Sequence, residues 1–191
     1  MSIRNVATLA VASSLLVTLA SAQSNDPEPR RARNNLGVKA GVYLPTDSEI
    51  RDIFGSLIFV IGLSFDDFSR QADKWRLTVD FDFITGEKDG NKFFAAPVTA
   101  SIGRVFGSPE DEFRPYVRLG AGVAYFDYSI TRPSTSERFS TKRGGFGADV
   151  EVGFFVGDKF RLSAKYVWFS KVDDFDFGGL QLTATYNILK F

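Results

Sequence analysis

Eight segments of this chain alternate between apolar and polar residues, and this alternation constrains the fold more than any other feature. Successive side chains of a β-strand point to opposite faces, so each segment predicts a strand with one apolar and one polar face. The third segment shows the pattern best, with Trp75, Leu77, Val79, Phe81 and Phe83 on one face and Arg76, Thr78, Asp80 and Asp82 on the other.

The other seven segments have apolar faces of similar length. They cover residues 36–44, 57–65, 94–102, 117–125, 146–154, 160–168 and 180–188. A tilted strand that crosses a bilayer needs roughly nine to eleven residues. The connections after the first, third, fifth and seventh segments (45–56, 85–92, 127–144 and 170–178) include the longest one, whereas the sixth and seventh are joined by a tight turn around Gly157 and Asp158. The pattern predicts an all-β fold, a single eight-stranded antiparallel up-and-down transmembrane β-barrel with its long loops outside the cell.

The hairpin around Asp158 allows a prediction of register. Directly opposite residues must lie on the same face, which requires Val156 opposite Phe160 and Phe154 opposite Leu162. This pairing needs a connection with an odd number of residues, most simply Gly157-Asp158-Lys159.

The N-terminal residues have the features of an export signal. Arg4, an apolar run over 6–20 and the small residues Ala20-Ser21-Ala22 predict a signal peptide over residues 1–22. Residues 23–35 then form a flexible periplasmic N-terminal tail, and residues 36–191 form the outer-membrane β-barrel. The tail contains Arg30, Arg31 and Arg33, which either have no specific role or bind anionic lipid headgroups or a wall polymer.

Composition excludes several kinds of function. The chain has no cysteine and no histidine, so we expect neither thiolate catalysis nor a typical zinc site, and no cofactor. Its 23 basic residues balance its 23 acidic residues. This balance gives no reason to expect a nucleic-acid partner.

Alternation alone does not decide which face of the barrel is outside. About five apolar residues on each of eight strands would overfill so narrow a barrel, which favours lipid on the apolar face. The polar face is rich in glycine, as a crowded lumen requires: Gly37, Gly41, Gly62, Gly103, Gly120, Gly122, Gly145, Gly147, Gly153 and Gly179. The alternative is a secreted soluble lipocalin-like barrel that binds a small apolar ligand.

Aromatic residues of the apolar face lie near the two ends of the strands, as expected for girdles at the two membrane interfaces. Those at the ends joined by turns are Phe65, Trp75, Phe154 and Phe160. Those at the ends joined by loops are Phe83, Phe94, Tyr125, Phe146 and Trp168.

The segment Leu36-Gly37-Val38-Lys39-Ala40-Gly41-Val42-Tyr43-Leu44-Pro45 and the terminal Phe191 resemble the small outer-membrane barrels related to OmpA, OmpX and OmpW. The resemblance implies contact with outer-membrane lipids and recognition by the barrel-assembly machinery through the last strand and Phe191. One departure matters, because Ile188 and the other outward residues of the last strand are in phase with Lys190 rather than Phe191. Either a bulge intervenes or the strand ends near Ile188.

Charged residues of the polar face predict a network in the lumen. They are Lys39, Arg76, Asp80, Asp82, Arg118, Asp149, Glu151, Arg161 and Lys165. Buried charges must pair to offset their desolvation, which favours a structural plug. The alternative is a narrow gated path for ions, lined first by Arg76 and Asp80.

The first loop contains the capping-box pattern Thr46-x-x-Glu49, then Ile50, Ile53 and Phe54, and a stop at Gly55. It predicts a short amphipathic helix in the first extracellular loop, lying over the barrel mouth. The helix is a lid or, as the OmpW resemblance implies, part of the site where a small apolar ligand enters.

Two further loops invite different interpretations. Residues 127–144 are rich in Ser, Thr and Arg, which predicts a mobile surface for an adhesin, phage or host contact. The run Asp173-Asp174-Phe175-Asp176 is a solvated acidic loop or, alternatively, a Ca²⁺ site built from oxygen ligands.

Outer-membrane barrel enzymes of the phospholipase, palmitoyltransferase, lipid A deacylase and omptin-like protease families use a histidine base, and the chain has none. The sequence therefore predicts a non-enzymatic outer-membrane barrel with a structural or surface-interaction role, with passage of small solutes as a further possibility.

Overall fold

A computed structural model of the chain describes residues 35–66, 75–108, 110–157 and 159–190. In these residues each predicted segment is a strand, and the strands close into one antiparallel barrel in which each pairs with its neighbours in sequence. The strands are β1 Asn35–Pro45, β2 Ile58–Asp66, β3 Trp75–Lys88, β4 Asn91–Val105, β5 Phe113–Thr131, β6 Arg138–Val156, β7 Phe160–Phe169 and β8 Gly179–Lys190. Helix α1, Ser48–Phe54, lies between β1 and β2. The predicted up-and-down barrel and loop helix are confirmed.

The two ends of the barrel differ. The connections that follow β1, β3, β5 and β7 meet at one end, here called the loop end. The ends of β2, β4 and β6 and the starts of β3, β5 and β7 lie at the opposite end, here called the turn end, together with the start of β1 and the end of β8.

Strands β3 to β6 extend farther at the loop end than the alternation predicted. The β3–β4 connection is only Asp89-Gly90, whose φ angles of 51° and 77° fit a type I′ turn. The β5–β6 ladder continues to Thr131 opposite Arg138. The predicted loops 85–92 and 127–144 were therefore wrong, because most of their residues belong to two long hairpins.

The predicted register of the β6–β7 hairpin is confirmed, with Val156 opposite Phe160 and Phe154 opposite Leu162. At the β1–β8 closure the register shifts, since Leu36 pairs with Leu189 but Gly37 pairs with Asn187. The extra residue is Ile188, so a bulge is the explanation of the altered phase near the C-terminus. Ile188 and Leu189 are both exposed on the outside of the barrel.

The outer surface between the two ends is apolar. Large side chains of the predicted apolar face are exposed there, and Phe59 and Phe146 reach 74% and 71%. Their polar neighbours in sequence point inward and are buried, as Lys39, Asp80 and Arg118 illustrate. This arrangement is the reverse of a soluble barrel, which keeps its apolar face inside.

Several predictions fall outside the described residues. These are the signal peptide over 1–22, nearly all of the tail with Arg30, Arg31 and Arg33, and Phe191. Among the described residues no helix is both long enough and apolar enough to cross a membrane.

Candidate functional site

A ladder of alternating charges fills the middle of the barrel. Asp82 accepts from Lys165 and lies 2.6 Å from the Lys39 ammonium, which is also 3.5 Å from Asp80. Arg118 continues the ladder, 2.8 Å from Asp80 and in contact with Glu151. These six buried side chains, contributed by β1, β3, β5, β6 and β7, contain equal numbers of cations and anions, so the ladder is neutral as a unit.

A second buried ion pair joins strands on opposite sides of the barrel. Arg161 of β7 donates to Asp66 at 2.5 Å and to the Ser64 hydroxyl at 2.8 Å, both on β2. Sequence reasoning included Arg161 but missed Asp66. Asp66 is the last residue of β2, in phase with Ser64 and Gly62 on the inward face, and this phase was the available signal.

The other two predicted lumen residues lie beside the ladder. Arg76 is half-buried near the start of β3, toward the turn end. Asp149 lies over Gly120 of the neighbouring strand, where an added Cβ would come within 2.7 Å of its carboxylate oxygens. The lumen is thus crowded where the sequence has glycine.

Aromatic and basic side chains close the turn end. Tyr116 and Phe155 are buried there with Val105, and the Tyr116 hydroxyl donates to Glu151 of the ladder. The guanidinium of Arg114 lies 5.2 Å from the Phe155 ring and donates to the Gly157 carbonyl.

An apolar plug fills the loop end, and sequence reasoning did not predict it. Among the described residues it comprises Tyr43, Ile50, Ile53, Phe54, Ile58, Val60, Ile84, Phe93, Ala95, Ala124, Phe126, Tyr128, Ile130, Val167, Phe169, Val172, Phe175 and Phe177, with Phe139 packed against them. The available signal was apolar residues on both faces of a strand, as in residues 58–61 of β2, which is typical of burial on both sides. Among the described residues, the loop-end part of the lumen is therefore apolar, and the ion ladder fills its middle.

Phe177, in the β7–β8 connection, lies at the centre of the plug. Its ring is 4.8 Å from that of Phe93 and 5.3 Å from those of Phe126 and Tyr128, between centroids. Its carbonyl accepts from the Tyr43 hydroxyl on β1. The last loop is thereby inserted into the mouth of the barrel.

Helix α1 covers one side of the plug with Ile50, Ile53 and Phe54, as predicted, and ends at Gly55 with φ 88°. The predicted capping box is wrong by one residue. Asp47 is the N-cap and accepts from the Ile50 amide at 3.1 Å, because an N-cap side chain reaches the third helical residue and the helix begins at Ser48. Thr46 instead donates to the Gly178 carbonyl at 2.9 Å.

Three connections meet above the plug. Arg132, from the β5–β6 connection, donates to Glu49 of α1 at 2.7 Å, and its guanidinium is 4.9 Å from the ring centres of Phe139 and Phe175. The predicted mobile loop is thus a hairpin held by Tyr128, Ile130 and Phe139.

The acidic run of the last loop shapes the chain and binds neighbouring side chains. Asp173 and Asp174 have φ angles of 49° and 67° and turn the chain between Val172 and Phe175, which exchange backbone hydrogen bonds. Asp173 accepts from the Tyr128 hydroxyl at 2.8 Å and from Arg143 at 2.9 Å. Burial and the hydrogen bond that its hydroxyl donates to Asp173 raise the pKa of Tyr128 above its usual range. Within the described residues no group of three or more acidic side chains is arranged to hold a metal ion.

The model of the outer membrane protein beta-barrel domain family matches residues 8–187. The chain belongs to this family. A comparison with curated protein sequences finds no match.

Solved structures share the barrel at low sequence identity. The outer membrane enzyme PagL is 18% identical, with 80% of this chain and 99% of PagL covered and a TM-score of 0.56. The N-terminal β-barrel domain of OprF from Pseudomonas aeruginosa is 14% identical over 82% and 98%, with a TM-score of 0.49. Ail, the attachment invasion locus protein of Yersinia pestis, is 19% identical over 83% and 97%, with a TM-score of 0.48.

As a member of this family, the protein is a small bacterial outer-membrane barrel whose apolar outer face lies in lipid. The alternative of a secreted soluble barrel is therefore wrong. The predicted girdle residues all lie on this outer face. Phe65, Trp75, Phe83, Tyr125, Phe146, Phe160 and Trp168 are exposed, and Phe94 and Phe154 are partly buried.

Proposed function

We propose that this protein is a non-enzymatic, closed outer-membrane barrel that acts through the surface of its loop end. The observation that carries the proposal is the filled interior, in which the ion ladder and the apolar plug succeed each other along the axis. A porin-like channel needs an open lumen, which an eight-stranded barrel filled by side chains lacks. The charged residues of the ladder then fill the lumen as a structural element and do not line a path for ions.

The absence of catalysis rests on the sequence. Histidine is the commonest general base at neutral pH, and the chain contains none. The likeness to PagL, at 18% identity, extends to the fold alone. Asp80, Asp82 and Glu151 are buried and paired with cations of the ladder.

Two measurements on the refolded protein test this proposal. In planar bilayers we expect no current steps, and regular steps would show an open path. Phospholipid and lipopolysaccharide incubated with the protein should have unchanged masses, whereas a deacylated or otherwise cleaved product would establish an enzyme.

The loop end faces the cell exterior in this proposal, because outer-membrane barrels carry short turns on the periplasmic side and longer loops outside. The chain has no cysteine, so single thiols report sidedness cleanly. Ser134→Cys, in the β5–β6 connection, should react with an impermeant maleimide on intact cells. Asp111→Cys, in the β4–β5 connection, should react only after the outer membrane is permeabilised, and the opposite pattern would invert the orientation.

We also propose a signal for export and a signal for assembly in the membrane. Cleavage after Ala22 predicts a mature protein that begins at Gln23, which mass spectrometry of the purified protein tests. The β8 bulge at Ile188 restores an outward position at Leu189, and we infer that the assembly machinery reads this strand end together with Phe191. Phe191→Ala should then lower the folded fraction in cells without changing the stability of the refolded protein.

A further inference from the structure

Strand β6 has one edge that no strand covers at the loop end. It pairs with β5 along its whole length, Arg138–Val156, but with β7 only from Gly147 to Val156. In the described part of the chain, residues 138–145 therefore have a strand on one side only. Such an edge presents backbone N–H and C=O groups that can pair with another extended chain.

The contacts of Phe146 determine which groups face this edge. Its carbonyl accepts from the Ser170 amide at 2.8 Å, and its amide donates to the Ser170 hydroxyl at 3.0 Å. Since the backbone groups of successive strand residues point to opposite edges, those of Arg138, Ser140, Lys142 and Gly144 face the same way as those of Phe146. The residues between them face β5.

The side chains of this edge are basic. The segment Arg138-Phe139-Ser140-Thr141-Lys142-Arg143-Gly144-Gly145 has three cations and no acid, and Arg138, Lys142 and Arg143 are exposed. Lys142 is 3.1 Å from Asp127, and Arg138 donates to the Ser129 hydroxyl. Pairing with the same edge of a second copy would bring two sets of cations together, which disfavours self-association.

We propose that this edge of β6 is a docking site for an extended acidic peptide of an extracellular partner, added antiparallel as a further strand. The proposal rests on the outward orientation of the loop end proposed above. Backbone hydrogen bonds to Arg138, Ser140, Lys142 and Gly144 would supply affinity, and alternate side chains would supply specificity.

The register defines the sequence that fits. Acidic residues opposite Lys142 and Arg138 are four positions apart on the outer face of the peptide. The position opposite Phe139 falls on the inner face, where Phe139 packs against the plug, so an apolar residue fits there. The expected motif is two acidic residues four positions apart with an apolar residue next to the second.

A labelled synthetic peptide with this motif, two glutamates flanking valines, tests the proposal on the full protein in lipid nanodiscs. We expect saturable binding and slower amide exchange at Arg138, Ser140, Lys142 and Gly144. A peptide with lysines in place of the glutamates should bind at least about fivefold more weakly.

Ser140→Pro removes an amide that faces the open edge and leaves the β5 ladder intact, so it should weaken binding about tenfold or more. Ser140→Ala is the matched control and should bind like the wild type. Lys142→Glu should favour the lysine peptide, which tests the same edge by charge reversal even if Ser140→Pro assembles poorly.

Equal binding by Ser140→Pro and Ser140→Ala, or protection of amides elsewhere, would overturn the docking site. So would cross-linked pairs of copies through this edge, which would make the occupant a second copy. These results leave the closed barrel and its orientation untouched, whereas failure of Ser134→Cys to react on intact cells contradicts the proposed function itself.

Discussion

The guanidinium of Arg132 lies over the rings of Phe139 and Phe175, 4.9 Å from each ring centre, and donates a hydrogen bond to Glu49 of helix α1. One side chain thus connects the first, third and fourth connections of the loop end. A cation over an aromatic ring contributes about 0.5–2 kcal/mol, depending on its desolvation. Arg132 therefore links helix α1 to the β5–β6 and β7–β8 connections, and these three segments together are called the cap.

Arg132→Ala should loosen the cap without opening the barrel. We expect the amides of α1 to exchange about tenfold faster, which corresponds to a loss of about 1.4 kcal/mol in local stability. Hydrogen exchange of the protein in nanodiscs measures this. Arg138→Ala is the control, because the Arg138 guanidinium donates to the Ser129 hydroxyl on β5. If α1 exchanges equally in the two variants, Arg132 does not hold the cap.

Asp82→Asn should destabilise the whole barrel. Asp82 accepts from Lys165 and lies 2.6 Å from Lys39, so the change leaves two buried cations short of one anion. Breaking a buried ion pair from one side costs about 3–5 kcal/mol. Urea unfolding of the protein refolded in lipid vesicles measures the loss.

Glu87→Gln is the control for the ladder, because Glu87 forms an ion pair with Lys92 in which both side chains are 65% exposed. Such a surface pair contributes about 0–1 kcal/mol. A similar small loss for Asp82→Asn would mean that the ladder does not act as a connected network.

The strands could be predicted from sequence because each carries its own alternating pattern. The plug could not be found by the same rule, since assigning the apolar residues to lipid leaves no reason to look for a second apolar set inside. Ile58 and Val60 interrupt the alternation of β2, and Asp89-Gly90 is a strong signal for a tight hairpin. Both signals were available, but the regular alternation of the apolar face outweighed them in the prediction.

The ion pairs that cross the barrel could not be predicted from the sequence, for a different reason. Arg161 and Asp66 are 95 residues apart, and their contact depends on the tilt and closure of the strands. Phase identifies which charges point inward but not which partner each one meets. The lumen charges could thus be nominated from sequence, whereas the order of the ladder required the structure.

Phe177→Ala should weaken the loop end of the barrel. Phe177 is buried and its ring lies within 6.0 Å of four others, those of Phe93, Phe126, Tyr128 and Phe175. Removing a buried phenylalanine ring costs about 3–5 kcal/mol. Urea unfolding should show this loss, and a smaller one for Phe146→Ala, whose ring is 71% exposed on the outer face. Equal losses would indicate that the plug adds no more stability than a lipid-facing ring.

Gly122→Ala should destabilise the barrel by overpacking. A Cβ at Gly122 would overlap the backbone carbonyl of Val98 on the neighbouring strand, and in a closed barrel that backbone cannot move independently. Forced insertions of this size cost about 1–3 kcal/mol. At Gly144 the Ala124 carbonyl oxygen is 4.0 Å from an added Cβ, an ordinary contact distance, so Gly144→Ala should change the unfolding midpoint little. If both variants unfold at the wild-type urea concentration, the approach of β4 and β5 does not require glycine at position 122.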